Sequence, residues 1–325
     1  MTFWEEKNVL VTGGVGFVGS HVVEMLVGKG ANVTVVDNFE NGSLNNLKSC
    51  RKSIELIKGD LTDPGICMQA SKSRDVVLNI AARVGGIEYN RKHPGTMFTA
   101  NILINTQMLE AARKNSVDRY LCVSSACVYP RYCTIPTPEL EGFKDVPEET
   151  NLGYGWAKRM AEVQAQCYAE EYGMKIAIVR PYNAYGPRDH FDPEKSHVIP
   201  AIIKRIFDGE DPLVVWGNGE QTRAFLYVTD FARGLIEAAE KYPAADPVNL
   251  GTDEEVKIRD LVEMIIKLSG KKTDIFFDTS MPAGQPRRNC DTAKAKEKIG
   301  FEAKVKLKDG LKETIRWYKG EHAEK

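Results

Sequence analysis

Thr12-Gly13-Gly14-Val15-Gly16-Phe17-Val18-Gly19 decides how this chain is read. The stretch contains G-x-x-G-x-x-G. It lies between the apolar run Asn8–Thr12, which reads as a strand, and an amphipathic run over residues 17–27, which reads as a helix closed by Gly28 and Gly30. Glycines let a backbone approach a pyrophosphate, and a helix N-terminus supplies oriented N–H groups and the positive end of a dipole. The strand–loop–helix setting gives the glycine pattern its force. Asp37 ends the next strand, Asn32–Asp37, directly after that helix. A carboxylate there accepts hydrogen bonds from both hydroxyls of an adenosine ribose and repels a 2′-phosphate, and no Arg immediately follows it. The sequence therefore predicts NAD rather than NADP.

Working outward, further strands are expected at Ile54–Lys58 and at residues 76–80, 119–124 and 175–180. Long helices are expected over residues 96–114 and 154–172, the second stopped by Gly173. Strands alternating with helices predict an α/β fold, a parallel sheet covered on both faces. Beyond Arg180 the texture changes. Residues 181–200 are rich in Pro, Asp, Asn and His, and a helix is expected over 197–207. Strands follow at Leu213–Trp216 and 224–228, and helices over 230–240, 258–268 and 307–318. No repeat or low-complexity stretch appears. The expected division is a dinucleotide-binding domain over residues 1–180 plus about 222–252, and a smaller α/β substrate-binding domain over about 181–221 and 253–325.

The 325 residues hold 44 Lys plus Arg against 45 Asp plus Glu, a net charge of -1, which speaks against a uniformly basic nucleic-acid surface. No apolar run reaches the roughly 18 residues of a membrane span. Met1-Thr2-Phe3-Trp4-Glu5-Glu6-Lys7 has acids where a signal peptide has bases, so a cytoplasmic protein is expected. Seven scattered cysteines with no C-x-x-C pair indicate neither a disulfide framework nor a zinc site, and no metal is expected.

Tyr154-Gly155-Trp156-Ala157-Lys158 puts a phenol and an ammonium four apart, on one face of the predicted helix. A nearby cation favours phenolate, so the Tyr154 pKa is expected to fall toward working pH. That makes a general base for a secondary alcohol and, in reverse, an acid for a ketone. The strand before this helix ends Ser124-Ser125, whose second hydroxyl can bond the same substrate oxygen. Asp60, in Gly59-Asp60-Leu61, either reaches an adenine amino group or serves the helix start at Thr62-Asp63-Pro64.

These features together resemble an extended short-chain dehydrogenase/reductase of the nucleotide-sugar epimerase branch, over nearly the whole length. The resemblance runs through the glycine loop, Asp37, Asp60-Leu61, Asn101, Ser125, Tyr154, Lys158, Arg180-Pro181-Tyr182-Asn183, Trp216-Gly217-Asn218-Gly219 and Arg223. It implies a Rossmann-type doubly wound sheet holding NAD. The implied cofactor residues are Gly13, Gly16, Phe17, Val18, Gly19, Asp37, Asn38, Asp60, Leu61, Ala81, Ala82, Asn101, Tyr154, Lys158 and Tyr182. Ser125, Tyr154 and Lys158 form the implied catalytic triad, and Asn183 lines the sugar diphosphate.

Three stretches narrow the branch. Ala81-Ala82-Arg83-Val84-Gly85-Gly86-Ile87 resembles the sugar-facing loop of GDP-fucose synthases, which makes Val84, Gly85 and Gly86 substrate contacts. Ser125-Ala126-Cys127-Val128-Tyr129-Pro130 resembles those enzymes and GDP-mannose 3,5-epimerases, and Ser196-His197-Val198-Ile199-Pro200 again the fucose synthases. The resemblance makes Cys127 and His197 an acid/base pair, with Val198 and Trp216 against the substrate. A ketone at C4 acidifies the C–H bonds at C3 and C5, and two groups titrating near neutrality can exchange protons on opposite faces. The bland alternatives are that Cys127 is a small buried residue at a strand end and His197 a first-turn helix residue. Arg223 and one of Arg287 and Arg288, with Arg288 preferred, are the implied diphosphate partners.

Departures decide among relatives. Fucose synthases resemble NADPH binders, which Asp37 opposes. Sugar 4,6-dehydratases carry an Asp-Glu pair where Ala126-Cys127 stands. The expectation is NAD-dependent epimerisation of a nucleotide-diphospho-sugar, a GDP-sugar such as GDP-mannose before a UDP-sugar, by a homodimer formed through the two long helices. A UDP-glucose/UDP-galactose 4-epimerase and a fucose-synthase-like epimerase/reductase are the alternatives. A catalytically silent NAD sensor is disfavoured because Tyr154 and Lys158 are both present.

Overall fold

Val9, Leu10 and Val11 are fully buried in succession, and so are Val76, Val77 and Leu78. Consecutive burial is what strands covered on both faces require. The computed structural model describes residues 2–85, 87–192, 196–281 and 285–322. In chain order the first half contains β1 (Asn8–Thr12), α1 (Phe17–Gly28), β2 (Asn32–Asp37), β3 (Ile54–Lys58), α2 (Pro64–Ser71), β4 (Val76–Asn79), α3 (Ile87–Lys92), α4 (Pro94–Lys114) and β5 (Arg119–Val123). Then come α5 (Leu152–Tyr172), β6 (Lys175–Pro181), β7 (Ala184–Tyr185), α6 (Val198–Phe207), β8 (Leu213–Trp216), β9 (Thr222–Ala224), β10 (Leu226–Tyr227), α7 (Val228–Lys241) and β11 (Ala244–Leu250). The chain ends with β12 (Glu255–Lys257), α8 (Ile258–Ser269), β13 (Ile275–Asp278), β14 (Arg287–Arg288), α9 (Ala293–Ile299) and α10 (Leu307–His322).

Seven strands form one parallel sheet in the order β11-β6-β5-β4-β1-β2-β3. Leu10 sits beside Thr34 on one side and Val77 on the other. Side chains alternate between faces. Val9, Val11, Val33 and Val35 pack with Val22 and Leu26 of α1 and Leu235 of α7. Leu10, Val36 and Val77 pack against Ala70 of α2, Met108 of α4 and Ala161 of α5. A second core joins Ile199 and Ile203 of α6, Leu261 and Ile265 of α8, and Leu311 and Ile315 of α10. Strand order reverses between β1 and β4, which opens a crevice at the carboxyl ends of the strands.

One expectation needs correction. Residues 224–228 are not one strand: β9 ends at Ala224, β10 covers Leu226–Tyr227, and Val228 already begins α7. The short elements α2, α3, β7, β11, β12, β13, β14 and α9 were not expected from the sequence. α2 is a short helix of two turns, although Asp63 caps it, accepting from Gly65 N at 2.7 Å, with Pro64 at its first position. β11 contains Asp246 and Pro247 and shifts register between Ala244 and Pro247. Such a strand is tolerated at a sheet edge and carries no β-branched periodicity. Among the described residues, no helix is long and apolar enough to cross a membrane.

Candidate active site

The glycine loop turns sharply out of β1. Gly13 adopts φ +67, the left-handed region, and its N–H donates to Val36 O at 2.8 Å. A Cβ on Gly19 would collide with Gly13 O, so α1 begins flush against the turn. α1 has no side-chain cap at Gly16 and no acid in its first turn, which leaves its leading N–H groups to an anion. Phe17 and Val18 open the helix. Asp37 accepts from Val15 N at 3.2 Å and from Phe39 N at 2.9 Å. Burial pushes its carboxyl up, opposed by those backbone bonds. Remaining lone pairs of Asp37 suit two ribose hydroxyls. The cradle, the free helix terminus and this acid fit a dinucleotide.

Around the loop, Asn38 Nδ2 donates to Asp60 Oδ2 at 3.3 Å. Asp60 Oδ1 accepts from Thr62 N at 2.8 Å and so shapes the turn after β3, while the helix cap belongs to Asp63. The Leu61 side chain is buried in the core. Asn101 is fully buried and its amide is committed: Oδ1 accepts from Arg83 N at 3.1 Å, and Nδ2 donates to Arg83 O at 2.9 Å and Met97 O at 2.8 Å. It therefore pins the loop of Ala81, Ala82 and Arg83.

The sequence reading missed the rest of that polar line. Thr12 Oγ1 donates to Asn79 Oδ1 at 2.9 Å and accepts from Ala81 N at 2.9 Å. Asn79 Nδ2 donates to Asn105 Oδ1 at 3.1 Å, and Asn105 Nδ2 to Asn101 O at 2.7 Å. An Asn closing the apolar strand Val76–Asn79, and two more four apart on one helix, were the available signals. Val84 is exposed at the end of the pinned loop, and Gly85 lies close under Tyr89. Gly86 lies outside the described residues.

At the end of β5, Ser125 begins a single 3-10 turn, and its Oγ accepts from Cys127 N at 3.1 Å. Tyr154, in the first turn of α5, hydrogen-bonds Ser125 and has Cys127 as an electrostatic neighbour. Lys158 lies one turn on, 1% exposed, and donates to Val123 O at 2.7 Å. Its ammonium is 5.6 Å from the Tyr154 ring centre. Ser125, Cys127, Tyr154 and Lys158 are thus brought together. One expectation fails: Tyr154 is not drawn toward neutrality. Burial pushes its pKa up, Cys127 adds to this, and the Ser125 bond opposes it. Burial also lowers Lys158 to about 8, with its charge turned to the Val123 carbonyl. Cys127 is half-buried on the turn, not a core residue of the strand.

A buried network fixes this corner. Glu162, one turn beyond Lys158, pairs with Arg180 at 2.6 Å, both within 2% exposure, and also accepts from Ser124 Oγ. Arg180 donates to Tyr129 OH at 3.1 Å, and Tyr129 OH to Asn249 Oδ1 at 2.5 Å. Breaking such a pair from one side costs about 3–5 kcal/mol. Charged residues facing inward on both α5 and β6 were the sequence signal.

The open side of the crevice is built by the later segments. Tyr182 is buried against Tyr129, ring centres 6.0 Å apart, with the Arg288 guanidinium 6.0 Å from its own ring. It therefore lies with the Cys127 side of the crevice. A pocket beside it is lined by Ala126, Tyr129, Glu148, Tyr182 and Arg288, among others. Asn183 donates to Ala224 O at 2.9 Å, and Trp216 is 53% exposed at the end of β8. The parallel register sets Arg287 opposite Thr222 and Arg288 opposite Arg223. Arg287 is exposed and taken up by Glu255 at 2.9 Å. Arg288 stands beside Arg223, whose pKa is pulled to about 10 by burial first and Arg288 next. Two adjacent guanidinium groups removed from water suit an anion.

His197 enters from another element, at the N-cap of α6, followed by the exposed Val198. Its side chain is exposed, and partial loss of surrounding water, ahead of the charge of His190, lowers its pKa. The loop before it is sparsely satisfied: Asp189 Oδ2, His190 Nε2 and Ser196 Oγ are buried without hydrogen-bond partners among the described residues. Burial pushes Asp189 up to about 7. The same loop is clasped to α1. His21 Nε2 bonds Pro187 O at 3.2 Å, and Arg188 reaches Glu24 at 2.9 Å and Ser20 Oγ at 3.2 Å.

Residues 9–251 match the model of the NAD dependent epimerase/dehydratase family. A probable GDP-L-fucose synthase 1 of Oryza sativa subsp. japonica is 36% identical over 96% of this chain and 92% of its own. GDP-mannose 3,5-epimerase 1 of Oryza sativa subsp. indica is 31% identical over 98% of this chain and 83% of its own. The crystal structure of UDP-glucose 4-epimerase with UDP-glucose from Thermotoga maritima superimposes with a TM-score of 0.88 at 29% identity, covering 97% of this chain and 99% of that one.

Proposed function

The chain belongs to the NAD dependent epimerase/dehydratase family, and on that premise we propose that it epimerises a nucleotide-diphospho-sugar, a GDP-hexose such as GDP-mannose first, through a transient ketone at C4. The observation that carries this reading is the convergence of Ser125, Tyr154 and Lys158 with Cys127 at one strand end. NAD, when bound, would supply the hydride acceptor for forming the ketone and, once reduced, the hydride donor for reducing it again. Gly13, Gly16 and Gly19 would seat its pyrophosphate on α1, and Asp37 would hold its adenosine ribose, which favours NAD over NADP.

Tyr154 takes the proton from the C4 hydroxyl oxygen and later returns it. Ser125 donates a hydrogen bond to the same oxygen, and Lys158 supplies fixed positive charge behind the phenol. Cys127 removes a proton from the carbon beside the ketone, and His197 delivers one to the opposite face. The group that gives up its proton is left as thiolate or neutral imidazole, so one proton enters for each that leaves. Arg223 and Arg288 receive the diphosphate, and Trp216 offers a stacking surface at the nucleotide end. The reading includes a homodimer through α4 and α5, which expose Phe98, Met160 and Val163.

The superposition on a UDP-glucose 4-epimerase favours a second reading, in which the keto sugar rotates and the Cys127–His197 pair is idle. The test is incubation of the purified protein with GDP-mannose and, separately, UDP-galactose, without added reductant, followed by proton NMR of the sugar ring. The proposal expects a new GDP-hexose epimer. Conversion of UDP-galactose alone would replace it with the second reading.

A further inference from the structure

Gly155, Lys158, Arg159 and Glu162 recur along α5 at the spacing i, i+3, i+4, i+7, so they share one face of the helix. Each meets the segment that ends β5 and carries Ser125. A Cβ on Gly155 would stand 2.5 Å from Cys127 O, so the 3-10 turn lies directly on the helix backbone there. Lys158 donates to Val123 O at 2.7 Å, and Glu162 accepts from Ser124 Oγ. Arg159 closes the far end. Its Nε and one terminal nitrogen both donate to Val128 O, at 2.9 and 2.7 Å. Val123, Ser124 and Val128 are therefore held from α5, and Ser125 lies between them in the chain.

Arg159 is 2% exposed, and a buried arginine is ordinarily matched by a carboxylate. Arg180 has that match in Glu162. Among the described residues, the hydrogen bonds of Arg159 go instead to the carbonyl oxygens of Val128 and Asp145. Val128 is the last residue of the turn Ala126–Val128, where a carbonyl lacks a partner within the turn and a cation suits it. Two rings steady the guanidinium, Trp156 with its centre 5.0 Å away and Phe143 at 5.3 Å. One buried charge thus ties the turn and the loop of Phe143 and Asp145 to the helix that carries Tyr154.

We propose that Arg159 is a positioning residue: it fixes the turn after β5 on α5 and so sets where Ser125 stands relative to Tyr154. The inference rests on the roles proposed for Ser125 and Tyr154, which both readings of the reaction share. A hydroxyl displaced by about 1 Å from the reacting oxygen loses much of its effect.

The test is hydrogen–deuterium exchange of the full-length protein. The reporters are the amides of Cys127, Val128 and Tyr129, which donate to Ser125 Oγ at 3.1 Å, Ser125 O at 3.2 Å and Ala126 O at 3.3 Å. Arg159→Gln is expected to speed exchange at these three about tenfold and to leave the amides of the parallel sheet unchanged. Arg159→Lys, with one ammonium in place of two guanidinium bonds, is expected to speed it about threefold, and it carries the test alone should Arg159→Gln fail to fold. Turnover is measured with whichever of GDP-mannose and UDP-galactose the wild-type protein converts. There kcat of Arg159→Gln is expected to fall about tenfold with KM within about twofold, and Arg159→Lys to recover most of the loss. Unchanged exchange at the three amides, equal acceleration along the whole chain, or an intact kcat overturns the inference. Exchange needs no turnover, so failure of the epimerase reading and failure of this one are separate results.

Discussion

The two sides of the crevice are built differently. On one side, the turn, the helix terminus and the acid all come from the single run β1–α1–β2, and backbone bonds from Val15 and Phe39 hold the acid in place. On the other side, Cys127, Tyr182, Arg223 and Arg288 arrive from four separate segments, and Asp189, His190 and Ser196 of the loop before α6 keep buried polar atoms without partners among the described residues. A satisfied network fixes one geometry, whereas unpaired buried groups cost stability and persist where a ligand or reaction uses them. The comparison therefore locates the general function in the first side and the specificity in the second.

The largest expected effect lies where the two sides meet. Tyr154→Phe should lower turnover by about three orders of magnitude. Melting temperature should stay nearly constant, because among the described residues the lost hydroxyl bonds Ser125 alone. Activity within tenfold of wild type would remove Tyr154 from the chemistry and revive a sensor role.

Asp37→Asn sharpens the dinucleotide side. Losing charge-assisted bonds to two ribose hydroxyls should weaken NAD binding about 100-fold while changing NADP binding far less. Calorimetry with both dinucleotides measures the ratio. Equal losses for both would show that Asp37 only shapes the loop through Val15 and Phe39.

The smallest effect concerns the seam. The pKa of His21 is lowered to about 4, by burial first and Arg188 next. The unfolded chain takes up this proton below about 6.5. The folded-state pKa is depressed, so stability falls as pH drops from about 6.5 to about 4, by up to about 3 kcal/mol. His21→Gln, which keeps a donor for Pro187 O, should flatten that part of the stability–pH curve. An equal loss of unfolding free energy between pH 6.5 and pH 4.5 in wild type and variant, measured by urea titration, would show that the clasp does not carry this linkage.

The same contrast explains what was legible. The glycine loop, Asp37 and Tyr154-Gly155-Trp156-Ala157-Lys158 are local patterns whose chemistry follows from spacing, and the parallel sheet follows from apolar runs alternating with helices. Three things needed the third dimension. The Tyr154 phenol meets burial and Cys127 rather than the Lys158 charge, and spacing on a helix says nothing of where an ammonium points. The different settings of Arg287 and Arg288 come from strand facing and from Glu255, which belongs to β12, with α8 and β13 between the two in sequence. The Thr12–Asn79–Asn105–Asn101 line joins separate elements through single hydrogen bonds, and no window of sequence contains it.

The most direct test of the central claim is turnover of GDP-mannose in heavy water by wild-type protein and by Cys127→Ser, with deuterium located by NMR. The account predicts deuterium at C3 or C5 with the wild type and none with the variant. Conversion without deuterium uptake by the wild type would contradict it.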